Sequence, residues 1–199
     1  MLTKTQEQIL SFLLENQEEN NTIRGISRKL NKSYTLTYNN ISDLEKKEFI
    51  KKKSVPPAQI ITLNMQAQIE LFIEIEFKRK SNFLKKYPWA RLMLKDIIKN
   101  SSNPFFVLIV FGSYAKGLQT EKSDLDLLMV VQTKEEKKIM KNIVQEIYTK
   151  VKKSLIIVDL KDFKEMLSNS EKLNVGNEAK KNHILLYGTE QYYNIIKSL

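Results

Sequence analysis

Asp124 and Asp126, one residue apart in the run Asp124-Leu125-Asp126-Leu127-Leu128-Met129-Val130-Val131, are the residues of this chain best spaced to do chemistry. On an extended strand, side chains two apart share a face, so both carboxylates stand together while Leu125 and Leu127 turn into a core. Like charges that close repel each other, and a divalent cation between them removes the repulsion. Hard oxygen ligands with room for phosphate suit Mg2+, or Mn2+ in its place. Upstream, Gly112-Ser113 closes an apolar run.

Several elements must hold these residues. A polar breaker at 100–104 precedes the continuous apolar run 105–111, which reads as a buried strand. The acids open a second strand, 124–131. A helix over 134–152 follows, then an apolar strand, 155–160, which carries Asp159 near its end. A short helix around 163–167, a strand at 183–187 and a helix from 189 complete this half. His183 has no ligand partners at metal spacing and reads as structural.

The stretch "FGSYAKGLQTEKSDLDLLMVV" resembles the signature of the DNA polymerase beta-like nucleotidyltransferase superfamily: a hydrophobic residue, Gly, Gly or Ser, a spacer, then acid, hydrophobic, acid, hydrophobic. The resemblance covers residues 104–199, and the ending looks like small stand-alone members of the superfamily. It implies that Gly112 and Ser113 meet a triphosphate, with Lys116, Lys122 and Ser123 assisting. It also implies that Asp124 and Asp126 are catalytic and hold metal. The family uses a third carboxylate from a neighbouring strand, and Asp159 matches that role as metal ligand or base; an acid at a strand end is equally an ordinary helix cap. Transfer would then follow two-metal phosphoryl chemistry, with ATP or another nucleoside triphosphate as substrate.

Before this domain, apolar periodicity and capping residues place helices over 3–15, 23–30 and 33–47. In the third helix Leu36, Asn40, Ile41 and Leu44, followed by Phe49, form the inward face. Two short strands, 49–53 and 59–63, flank a loop with two prolines. The order resembles a winged helix-turn-helix module. The resemblance implies that Ser33, Tyr34, Thr35, Thr37, Tyr38 and Asn39 face base edges or phosphates while Lys51, Lys52 and Lys53 flank the backbone of double-stranded DNA. The same pattern also serves as a dimerisation or protein-docking unit. The expected fold class is thus α+β: a winged helix over 1–66, linker helices over 67–103, one of them apolar enough to pack onto the second domain or to carry a homodimer contact, and a mixed sheet packed against helices over 104–199.

Composition narrows the partners. A formal charge of +10 favours polyanions, and both parts share it, with ten basic against seven acidic residues through Gln66 and 23 against 16 after it. The absence of cysteine excludes disulfides and thiolate zinc sites. The run 105–111 is far short of the roughly 20 residues of a membrane helix, and no signal pattern opens the chain, so no membrane role and a cytoplasmic location are expected. The favoured expectation is an enzyme that transfers AMP from ATP to a protein or other hydroxyl acceptor. Some small relatives act as antitoxins on a partner toxin, which suits an attached DNA-binding module. The competing expectations are a DNA-binding regulator that only senses nucleotide, and a transferase acting on a small molecule such as an aminoglycoside.

Overall fold

The structure is a computed structural model that describes residues 2–17, 20–169 and 174–199. The chain divides into two compact units, Met1–Ile75 and Glu76–Leu199.

In the first unit, α1 (Lys4–Glu15) starts at a Thr3 capping box closed by Gln6. Thr22 caps α2 (Ile23–Lys29), and Ser33 caps α3 (Tyr34–Lys46) through the Leu36 amide. The antiparallel pair β1 (Ile50–Val55) and β2 (Ala58–Leu63) follows, and a bridge from Thr22 to Ile60 ties the hairpin to the start of α2. Ile9, Leu10, Leu13, Leu14, Ile26, Ile41, Leu44 and Ile61 are buried at the centre. Three helices followed by a hairpin make this unit a winged helix. One expectation about α3 is corrected: Leu36 is 44% exposed, and the inward face runs through Thr37, Ile41 and Leu44. The register turns because the Thr37 hydroxyl donates to the Ser33 carbonyl at 2.9 Å, which satisfies a polar group that burial would otherwise penalise.

The second unit opens within α4 (Ile69–Lys86) and continues with α5 (Pro88–Asn100), whose proline suits a first helical position. Then come β3 (Val107–Phe111), α6 (Gly112–Lys116), β4 (Leu125–Val131), α7 (Lys134–Glu146), β5 (Lys153–Asp159), α8 (Leu160–Ser168), α9 (Val175–Lys181), β6 (Ile184–Tyr187) and α10 (Thr189–Lys197). The sheet order is β5-β4-β3-β6, with β4 and β5 parallel and the other pairs antiparallel. On β4, Leu125, Leu127, Met129 and Val131 join Met93, Ile97, Met140 and Val144 in one core. Asp124, Asp126, Leu128 and Val130 occupy the opposite face by alternation. This sheet of β-strands packed against helices, preceded by the winged helix, gives the chain its α+β class.

Two helices differ from expectation. α7 ends at Glu146 rather than Lys152, because Ile147 is extended and the Lys153 ammonium donates to the carbonyls of Val144, at 2.6 Å, and Ile147. α9 has too few apolar residues for periodicity to reveal it; Asn174 caps it. His183 is buried and structural, with its Nε2 3.2 Å from Glu76 Oε1 and its carbonyl accepting from Arg79 at 2.7 Å. Burial pushes the Glu76 carboxyl up, but the Arg79 and His183 charges outweigh it and hold the group below its ordinary value. Among the described residues no helix is long and apolar enough to cross a membrane.

Candidate functional site

The acidic pair sits where β3 turns into α6. Phe111, the last residue of β3, pairs with Asp126, and the next residue, Gly112, has φ +68°. A Cβ at Gly112 would lie 2.2 Å from Asp126 Oδ2. The backbone therefore lies directly against the carboxylate, so an added Cβ would push the Asp126 side chain aside, and the positive φ is one that glycine adopts without strain. Tyr114 holds the short α6 in place, its ring edge-on to Tyr87 and Trp89 at 5.3 and 6.0 Å between centroids.

Asp126 is half-buried, and burial raises its pKa above the ordinary aspartate value. The nearby Asp124 charge adds to the rise, while a hydrogen bond from the Ser154 hydroxyl opposes it. The Asp124 side chain is 37% exposed and lies 3.3 Å from the ammonium of Lys152, itself 82% exposed. An ion pair that open to water is weak and leaves the acids accessible. Two carboxylates on one face, one of them disfavoured as a bare anion, fit one divalent cation. Among the described residues, no group of three or more His, Cys, Asp or Glu is placed to hold a metal.

The other expected residues fall in different places. Ser113 is half-buried directly after Gly112, and Lys116 and Lys122 are exposed. Ser123 closes its own turn, its Oγ accepting from the Thr120 amide at 2.9 Å. Asp159 is not brought to the pair, which corrects the expectation of a third ligand. In the parallel register Asp126 faces Ser154 whereas Asp159 faces Val131. Five residues of strand separate the two positions, roughly 16 Å. Asp159 instead caps α8 through the Asp162 amide at 2.9 Å and pairs with Lys137 at 2.8 Å. The Lys137 hydrogen bond, followed by that amide, holds its carboxyl down at about 2. Its Oδ1 serves the helix cap and its Oδ2 the ion pair, so both oxygens face structural partners.

On the winged helix, Ser33, Tyr34, Thr35, Tyr38 and Asn39 are exposed, and the Tyr34 and Tyr38 rings stack at 6.3 Å. Thr37, expected among them, is completely buried, so its hydroxyl cannot reach DNA. The three wing lysines separate by strand alternation. Lys51 and Lys53 are exposed; Lys52 turns toward α3, pairs with Glu45 at 2.7 Å and lies over the Tyr38 ring at 5.6 Å. Sequence reasoning passed over Arg24, which lines an open groove with Tyr34, Ser54 and Gln59. The signal was available: Arg24 and Arg28 are four apart on α2 and both are exposed.

Residues 93–191 match the model of the family described as polymerase beta, nucleotidyltransferase. That segment is a nucleotidyltransferase-type domain of this family. No curated protein matches the chain significantly. Among solved structures, the chain is similar to MepR, a transcription regulator of the Staphylococcus aureus multidrug efflux pump MepA, with 18% identity and TM-score 0.37 over 49% of this chain and 76% of that one. The S. aureus MepR-DNA complex gives 20% identity and TM-score 0.34 over 47% and 80%. Likenesses of this size carry no functional argument.

Proposed function

We propose that the nucleotidyltransferase-type domain binds a nucleoside triphosphate together with a divalent cation at Gly112, Ser113, Asp124 and Asp126, and that the winged helix binds double-stranded DNA. The chain is thus read as a DNA-binding regulator that responds to nucleotide. The observation that carries this reading is the missing Cβ of Gly112, which leaves the backbone directly against the Asp126 carboxylate. A cation held there would supply positive charge to phosphate oxygens, so Mg2+ or Mn2+ is the proposed cofactor and ATP the first nucleotide to test. Lys116 and Lys122, both exposed, are placed in this reading as screens for phosphate charge.

For DNA, Ser33, Tyr34, Thr35, Tyr38 and Asn39 are the proposed base-facing and backbone-facing side chains, with Lys51, Lys53 and Arg24 neutralising phosphates. A second reading, transfer of AMP to a protein or other hydroxyl acceptor, is supported by the family match over residues 93–191. It needs a base that Asp159, at the far end of β5, is not placed to provide. Equilibrium dialysis of labelled ATP with and without Mg2+ tests the nucleotide site. Cation-dependent binding that Asp126→Asn removes is the expected result, and binding indifferent to both cation and Asp126 would refute the reading.

A further inference from the structure

The strand beside β4 decides how many cations the acidic corner can hold. With Asp126 opposite Ser154 in a parallel register, the side chains of the neighbouring strand that share a face with Asp124 and Asp126 are Lys152 and Ser154. A two-ion phosphoryl-transfer site sets its cations about 3.5–4 Å apart and needs anionic ligands around both. Here that flank supplies an ammonium, 3.3 Å from Asp124, and, in register with Asp126, the neutral hydroxyl of Ser154. The one acid of β5, Asp159, lies at its other end and is paired with Lys137.

We infer that Ser154, a neutral residue where a further acidic ligand would have to stand, makes this a one-cation site, which binds a metal-bound nucleoside triphosphate without transferring the nucleotide. The inference rests on the nucleotide reading proposed above. For transfer, an acceptor oxygen must bond to the α-phosphorus while the bond from that phosphorus to pyrophosphate breaks, and the acceptor proton must go to a base. Asp124 and Asp126 are the ligands of the single cation, Lys152 is an ammonium, and Ser154 is a hydroxyl. None of them can take that proton and hold a second cation as well. The bound triphosphate is therefore an occupancy signal, and Ser154 is the residue that fixes this outcome.

The test counts manganese. The full chain is dialysed to equilibrium against Mn2+ and an ATP analogue that cannot be cleaved between the α and β phosphates, and bound metal is measured per chain. One bound Mn2+ is expected for the wild-type protein and for Ser154→Ala, and two for Ser154→Asp. Wild-type protein supplied with ATP, GTP, CTP or UTP and Mg2+ should release no pyrophosphate above that of Asp126→Asn. Two Mn2+ in the wild-type chain would overturn the inference, as would pyrophosphate release that depends on Asp126. A Ser154→Asp protein that melts like wild type yet still binds one Mn2+ would do the same. If neither analogue nor Mn2+ binds at all, the nucleotide reading itself fails, which is a different result from any of these.

Discussion

The two ends of the β4 and β5 pair carry acids in opposite circumstances. At one end Asp126 is half-buried beside Asp124, with a pKa raised by burial and a hydroxyl for its neighbour on β5. At the other, Asp159 has an ammonium and a helix amide and is held down at about 2. Both acids sit on apolar strands, and a linear reading treats them alike. The difference lies in who already answers the charge. An acid whose partners are all internal contributes stability, whereas an acid left disfavoured and accessible is a place for an external cation.

The comparison breaks most severely at Gly112. Gly112→Ala should lose at least about 100-fold in nucleotide affinity, since its Cβ would meet Asp126 Oδ2 at 2.2 Å, and should destabilise the protein by roughly 1–3 kcal/mol through the positive φ. Calorimetric titration and thermal melting read the two effects, and near-wild-type affinity would show that the close approach is unimportant. Asp126→Asn should also abolish cation-dependent binding. Because the raised pKa marks the charged carboxylate as unfavourable in the fold, this variant should melt about 1–3 °C higher without metal. For the same reason, metal affinity in the wild type should begin to fall, as pH drops, at a higher pH than an ordinary aspartate dictates.

The contrast between engaged and open charges extends to the wing. Lys51→Ala and Lys53→Ala should each lower the slope of log affinity for DNA against log salt by about 1. Lys52→Ala, which removes a lysine already paired with Glu45, should change it less. Equal slopes for all three would sink that distinction. The smallest effect belongs to Asp159→Asn, which should leave nucleotide affinity within about two-fold and lower the melting temperature by about 2–4 °C. A depressed folded pKa stabilises above the ordinary value of 3.8 and loses that contribution as pH falls toward about 2, so the variant should lack this acid-side decline in melting curves.

What the sequence made legible follows from range. Asp124, Asp126 and Gly112 belong to one local strand-turn-strand pattern, and alternation alone puts both acids on one face. The helix, helix, helix and hairpin order of the first unit is likewise a matter of local caps and periods. Asp159 misled because its distance from Asp126 depends on the register between β4 and β5, which no local pattern encodes. Thr37 misled because one hydroxyl bond to the Ser33 carbonyl lets a polar residue take an inward position. Leu36, the apolar neighbour, then faces out. Lys52 reads like Lys51 and Lys53 until strand alternation turns it toward Glu45.

Among the described residues, β5 is the border strand of its sheet, hydrogen-bonded on the side of β4 alone. A residue changed at its start, where Ser154 stands, disturbs one strand neighbour and leaves β3 and β6 untouched. Loss or gain of an acid there could accumulate in a lineage with little penalty in folding. Descendants of one ancestral domain could in this way drift between making a chemical bond and merely registering a molecule's presence, while the scaffold stays the same.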